Sequence, residues 1–549
     1  MFKVKTSNLK PQTLNDFMNT YKLSTIALLA GLLTVTSCDV NNLEPQNSLS
    51  ETTAFQTPER IELAVAGVYD AAQSGFYAGG AVRGYPFGAA HLEQGDMRGE
   101  DMISTQAFYA ITYQNTYDAT TPNNGFFWQT IYAMINRANV VIQGLQSVQP
   151  TAQLTQAQIN AYIGECRFLR AMGHHFLVVY FARPYGDNPT TNLGVPYRTT
   201  PVTGGSTVDQ AVQQPRNTVA EVYTQILADL DYAEQNLPVT RTNRITRATR
   251  GAAIAFKSRV RLHQNNWAEV IKEADKLVSQ TAPFTSPIGG YQLTASPYGP
   301  FGPNNKSNTE VIFAIENNDV DNAGVNGAPG TMYTAASLNG RAIIAISPLL
   351  WNQPFFPAND IRKSDLMVAK DPVTSPGRGA YFSRKYSDPT TRTDNAPIIR
   401  YAEVLLNLAE ALARTSTGVN ERAVALLSAV RNRAVPDAAN RYTAASFASG
   451  TELVRAIINE RRIEFLAEGM RWLDIHRLAP DAVYRQAPGI PAKVSNGISD
   501  FGPLYTNNPN TTFTTQPGIP YSDYRFIWPI PIEEIVNNPT LATQQNPGY

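Results

Sequence analysis

Two stretches of this chain combine side chains that could hold a polyhydroxylated ligand. The first runs from Arg83 to Tyr117, where Glu93, Asp96, Arg98 and Asp101 (HLEQGDMRGED) are followed by Phe108, Tyr109, Tyr113 and Tyr117. The second is Tyr291 to Phe301 (YQLTASPYGPF), with Tyr333 and Trp351 further along. Sugars are bound by laying their C–H faces on aromatic rings while polar side chains take the hydroxyls, so rings on polar loops are where such chemistry would sit. Prolines and glycines around Tyr298 and Phe301 stiffen that loop and present its rings at low entropic cost. The ligand-contact candidates are therefore Asp96, Arg98, Tyr109, Tyr113, Tyr117, Tyr291, Tyr298, Phe301 and Tyr333, with Tyr298 foremost.

Metal and catalytic chemistry find less support. Glu316 to Asp321 (ENNDVD) supplies hard oxygen atoms, but without the glycine and the terminal glutamate of an EF-hand, so calcium is disfavoured. His174 and His175 are adjacent on a helical stretch and point about 100° apart, which suits packing better than shared ligation. The chain has no G-x-S-x-G, no phosphate-binding glycine loop, no zinc signature and no strand-helix alternation to house them, and a binding protein without cofactor is expected. Lysine plus arginine and aspartate plus glutamate number 45 each in 549 residues, and charged residues are only 16%. A basic field for nucleic acid is lacking.

Only two cysteines occur, Cys38 and Cys166, so a disulfide framework is ruled out. Lys22 precedes an apolar run, Leu23 to Val35, which is too short for a stable membrane helix and the right length for the core of a signal peptide. The run ends in Val35-Thr36-Ser37-Cys38, which resembles a bacterial lipobox, whose cysteine is diacylated and becomes the new N-terminus. Residues 1–37 are then a lipoprotein signal, with Met18 as good a start as Met1, and residues 38–50 a lipidated tether. Loss of Lys3, Lys5, Lys10, Lys22 and Asp16 with the signal leaves 41 basic and 44 acidic residues, a balance of −3, which suits a neutral ligand.

The rest of the chain must position these residues, and its periodicity is helical. Ile398 to Arg414 has polar residues only at Arg400, Glu403, Asn407, Glu410 and Arg414, a single stripe on a helix packed on most sides. With Glu421 to Ala434 it makes an antiparallel hairpin. Ala248 to His263 with Trp267 to Ser279, Gln158 to Phe181 with Val219 to Leu237, and Pro58 to Ala72 with Phe126 to Gln146 repeat the plan. Hairpins of about 34 residues with small residues at the contacts have tetratricopeptide-like geometry. The expected fold is mainly α: about four hairpins (near 58–146, 158–237, 247–280 and 398–434) stacked beside a loop-rich half built from insertions near 75–124 and 281–397, all within one domain, 51–549. In Asn459 to Gly469 the charges Glu460, Arg461, Arg462, Glu464 and Glu468 read as a buried or inter-helix ion network, with Gly469 as the C′ cap. Pro529-Ile530-Pro531 reads as an extended segment docked on the helices.

Several segments, in order, are similar to the SusD/RagB nutrient-uptake lipoproteins of Bacteroidetes. They are Glu165 to Asp187 (ECRFLRAMGHHFLVVYFARPYGD), Ala248 to Arg261, Ile399 to Ala411 (IRYAEVLLNLAEA), Asn459 to Arg477 (NERRIEFLAEGMRWLDIHR) and Trp528 to Tyr549, together with the lipobox. The C-terminal segment of that family would cover roughly 281–549. The resemblance implies four tetratricopeptide-like units beside a loop-rich half, and residence at the outer-membrane surface. It also implies a SusC-like TonB-dependent barrel as partner, to which oligosaccharide, or peptide in the RagB branch, is passed. A structural lid with little affinity of its own is a third reading of the same scaffold.

Overall fold

The computed structural model describes residues 53–77 and 80–549. The signal, Cys38 and the tether lie outside these residues. Helix α1 (Pro58–Gln73) starts where Thr57 caps the first turn, its hydroxyl accepting from Arg60 N–H, with Pro58 at the first helical position. It packs on α4 (Pro122–Gln146), and the insertion between them carries α2 (Ala90–Arg98), strand β3 (Met102–Ser104) and the short α3 (Ala110–Gln114). A hairpin of β1 (Ser74–Tyr77) and β2 (Gly80–Arg83) opens this insertion. Helix α5 (Gln156–Phe181) pairs with α6 (Val219–Asn236), and each begins with a capping box, Thr155 with Gln158 and Thr218 with Glu221. Helix α7 (Arg250–His263) returns through α8 (Trp267–Ala274), and α9 (Tyr401–Thr415) through α10 (Glu421–Asn432). These four pairs are the expected hairpins. Helix α11 (Gly450–Glu464) packs on α9, α12 (Met470–Leu478) packs on α2, and residues 57–549 form one compact unit.

The expected helix at Ile398 begins three residues late. Ala396 to Arg400 is strand β8, paired antiparallel with β4 (Val311–Ile315), and the helix starts at Tyr401. Pro397 removes a backbone donor and the neighbouring isoleucines prefer an extended backbone, so the apolar run crosses an element boundary without a break in hydrophobicity. The polar stripe of α9 is also deeper than expected. Glu403, Asn407 and Glu410 are all buried. Arg259 reaches Glu403 at 2.6 Å, Arg461 reaches Asn407 at 2.7 Å, and Arg477 grips Glu410 with two bonds of 2.8 and 2.7 Å.

The charged run of α11 forms the expected ion network. Glu460 meets Arg362 and Arg431 at 2.6 and 2.8 Å, Glu464 meets Arg433 at 2.6 Å, and Glu468 meets Lys385 and Arg400 at 2.6 and 2.7 Å. Three like charges at four-residue spacing are tolerable because each faces cations from other elements. Gly469 is not the C′ residue of that helix. The helix ends at Glu464, and Gly469, at φ 70°, is instead the residue that opens α12. At the C-terminus, Trp528 N–H donates to Tyr180 O at 2.8 Å and its ring packs on Phe127, Tyr180 and Phe181, so this segment docks on α4 and α5.

Candidate functional site

Helix α2 is buried along its whole length, and its two acids carry the loops around it. Glu93 and Asp96 are one helical turn apart and share a face. Glu93 accepts the Tyr109 hydroxyl from the loop after β3. Asp96 accepts the Tyr333 hydroxyl at 2.7 Å, from a second loop more than 200 residues later, and Gly469 N–H at 3.1 Å. Burial pushes both carboxyls up, each to about 8, against the opposing pull of their tyrosines.

The two loops are also stitched directly. Strand β3 pairs antiparallel with β5 (Ile344–Ile346), and the ladder continues as Thr105 N–H donates to Ile343 O at 2.9 Å. Gln106 Nε2 donates to the carbonyls of Arg341 and Ala342 at 2.5 and 3.0 Å. At the end of this ladder the two chains present one surface. Phe108 is 43% exposed and Ile111, three residues on, 44%. The Arg341 guanidinium sits 5.0 Å from the Phe108 ring centroid and donates to Asn326 Oδ1 at 2.7 Å. An exposed ring, a guanidinium and an amide on a pre-ordered backbone form a platform whose chemistry, a ring face beside hydrogen-bond donors, is of the kind that stacks a sugar.

A cleft of about 680 Å³ belongs to the same loop system, lined by Lys370, Asp371, Val373, Gly379, Asp500 and Gly502. Asp371 ties it to the second loop by accepting Ala336 N–H, Ser337 N–H and the Ser337 hydroxyl, at 3.0, 3.0 and 2.8 Å. Its volume suits a small ligand or one segment of a polymer.

The residues that sequence reasoning nominates mostly lie beneath this surface. Tyr109, Tyr113, Tyr117, Tyr291, Phe301, Tyr333, Asp96 and Arg98 are all buried, so in this structure these eight lie under the loop surface rather than on it. The physical reason is that each polar tip has an internal partner. Tyr113 donates to Val494 O at 2.7 Å, Tyr117 to Arg525 O, and Tyr291 is hydrogen-bonded to the Thr249 hydroxyl at 2.9 Å. Arg98 donates to the Tyr117 hydroxyl at 3.0 Å and to Phe526 O at 2.5 Å, and its guanidinium lies 3.8 Å from the Trp472 ring centre. Phe301 lies between Lys385 and Arg400, 4.9 and 5.2 Å from its centre. Trp351 is buried and stacked on Tyr381 at 4.4 Å. Tyr298 alone of the nine is half-exposed, its ring covering Gly302.

The exposed surface is instead carried by Phe108, Arg341 and Asn326. One signal was available for the first. Tyr109, Thr112 and Tyr113 share one helical face while Phe108 and Ile111 share the opposite one, so Phe108 and Tyr109 cannot both point outward. Arg341 and Asn326 reach the ring only through the short β3–β5 pairing, which leaves no periodic trace.

The calcium candidate Glu316–Asp321 forms a turn, with Asn318 Oδ1 accepting Val320 and Asp321 N–H at 3.0 and 2.7 Å. Among the described residues no three His, Cys, Asp or Glu side chains are placed to hold an ion. His174 stacks on Tyr197 at 3.8 Å, and His175 packs among the rings of Tyr223, Phe256 and His263.

Comparison with known proteins agrees with this architecture. A model of the SusD family matches residues 376–549, and a model described as starch-binding associating with outer membrane matches residues 42–262. SusD-like protein P2 of Formosa agariphila is 25% identical over 97% of this chain and 100% of its own. A SusD superfamily protein from Bacteroides fragilis superposes with a TM-score of 0.71 at 26% identity, covering 89% of this chain and 99% of that one. A putative sugar binding protein from Bacteroides vulgatus shares the fold, with a TM-score of 0.65 at 22% identity over 90% of this chain and 100% of that one. With these matches at both ends and the helical-hairpin body between them, the chain belongs to the SusD/RagB family.

Proposed function

We propose that this protein captures oligo- or polysaccharide at the surface of the outer membrane and delivers it to a SusC-like TonB-dependent transporter, without chemistry on the ligand. The observation that carries the reading is the Phe108 platform: a ring left 43% exposed above the buried rings of Tyr109, Tyr113, Tyr117 and Tyr333, on a backbone anchored to α2. A polar loop exposes a large ring at a cost in hydration, and a sugar face would recover it. Support comes also from the starch-binding, outer-membrane-associating family model, whose matched span contains both α2 and Phe108. No helix among the described residues is long and apolar enough to cross a membrane, so attachment is assigned to the lipid on Cys38.

The test is calorimetry of the purified protein against a polysaccharide panel. Binding to at least one glycan, weakened about tenfold or more by Phe108→Ala, is the expected outcome. Binding that Phe108→Ala leaves intact would sink the site. Co-purification of the transporter from membranes tests delivery, and Cys38→Ala should release the protein into the soluble fraction. Peptide capture is examined by a peptide panel run in parallel.

A further inference from the structure

The charges around the Phe108 platform are not balanced as they are elsewhere. In the helical half many guanidiniums are neutralised at close range, among them Arg259 by Glu403, Arg400 by Glu310, Glu464 and Glu468, and Arg477 by Glu410 and Asp474. Arg341 differs. Its contacts are Asn326 Oδ1, Met332 Sδ at 3.9 Å and the Phe108 ring, and among the described residues no carboxylate forms an ion pair with it. The side chain is half-buried, and its backbone is fixed by Gln106, so the guanidinium is held in place rather than waving in solvent.

The neighbouring acids do not cancel it. Glu93 lies beneath Tyr109 and Asp96 beneath Tyr333, neither forms an ion pair with Arg341, and burial disfavours the charged form of both, although the Arg341 guanidinium pulls the Glu93 carboxyl the other way. Asp371, which touches the second loop, accepts three neutral donors from Ala336 and Ser337 and forms no ion pair with Arg341. A second guanidinium in the same system, Arg378, donates only to carbonyls, those of Thr105, Asn496 and Ile498. Beside the exposed Phe108 ring there is therefore a guanidinium that no carboxylate pairs with among the described residues.

We infer that the Phe108–Arg341 surface selects saccharides that carry an anionic group, a carboxylate or a sulfate ester, over neutral ones. This rests on the saccharide reading above and sharpens its ligand class. A sugar lying on Phe108 brings its substituent to a guanidinium whose Nε and Nη2 have no acceptor among the described residues, and a planar fork of N–H donors fits a carboxylate or sulfate. This reverses the expectation, drawn from composition, that a neutral ligand is preferred.

The experiment is calorimetry with the full chain in detergent, using four probes of matched length: a neutral galactan, an oligogalacturonate, a sulfated galactan oligosaccharide and an acidic peptide. The expected result is about 10- to 100-fold tighter binding of one or both acidic saccharides than of the neutral one, the range of a charge-assisted hydrogen bond. Arg341→Gln should remove that preference, so that acidic and neutral affinities converge, Arg341→Lys should keep part of it, and added salt should erode it. Equal affinities for neutral and acidic saccharides, or acidic binding unaffected by Arg341→Gln, would overturn the inference. If Phe108→Ala weakens the neutral probe while Arg341→Gln changes nothing, the saccharide site stands and anion selectivity falls. If Phe108→Ala changes no probe's affinity, the site itself falls. An acidic peptide bound more tightly than every saccharide would overturn both.

Discussion

Gly95 of α2 and Gly469 at the start of α12 lie back to back, so closely that a β-carbon on Gly95 would come within 2.2 Å of the Gly469 carbonyl oxygen. Gly469 has its own constraint, a φ of 70° with His91 O and Leu92 Cα at 2.6 and 2.7 Å from where a β-carbon would stand. Two glycines thus let the helix beneath the ligand platform touch the helix that continues the α11 ion network.

Gly95→Ala should destabilise the protein, because the obstacle is backbone and cannot swing aside. Overpacking of this kind costs about 1–3 kcal/mol or more. Urea denaturation should show a lower midpoint, and an unchanged midpoint would mean that α2 and α12 can separate freely.

Arg477 and Glu410 form a doubly hydrogen-bonded pair with both side chains fully buried. Glu410→Gln leaves Arg477 with Asp474 as its remaining carboxylate and takes a countercharge from Arg414 as well, a loss that approaches the about 3–5 kcal/mol of a broken buried pair. The double replacement by methionine removes both charges of the pair but leaves Asp474 and Arg414 each one partner short, so it should recover part of the loss. A double variant as unstable as the single one would place the effect in packing instead.

Glu93 gives stability a pH dependence with a defined sign. Burial raises its carboxyl from the ordinary value near 4.5 to about 8 in the folded protein. Between those values the folded state holds a proton that the unfolded chain has released. Its contribution is therefore fully present below about pH 4.5 and is lost as pH rises towards 8, at up to ~1.4 kcal/mol per pH unit. Asp96 acts in the same direction. Glu93→Gln has no proton to lose, so its stability relative to the parent should grow between pH 5 and pH 8 in urea titrations. A gap that stays constant with pH would show that Glu93 titrates normally.

The fold was legible in the sequence where one physical rule acted alone. The stripe of Glu403, Asn407 and Glu410 announced a helix enclosed by partners, and the Glu460, Glu464 and Glu468 ladder announced cations across from it. Legibility failed at Arg400, where an apolar run passes from strand to helix without a change in hydrophobicity, and at Gly469, which is a helix boundary of the opposite kind. The loops failed for another reason. Tyrosine and arginine on polar, glycine-rich stretches look like surface residues, yet their tips find carbonyls and carboxylates inside, and composition does not distinguish a ring over solvent from a ring over a buried acid.

That distinction can be measured at two positions five residues apart. Tyr113 is fully buried, with its hydroxyl on Val494 O, and Phe108 is 43% exposed. Tyr113→Phe strands a buried acceptor and should cost about 1 kcal/mol of stability while leaving saccharide affinity unchanged. Phe108→Ala removes an exposed ring, so stability should move by no more than about 0.5 kcal/mol while affinity falls about tenfold or more. Denaturation and calorimetry on the same two variants separate the roles, because a support residue moves the first readout and a contact residue moves the second. The converse pattern, with Tyr113→Phe weakening binding at unchanged stability, would put the buried tyrosines back at the ligand and would require the loops to open on binding.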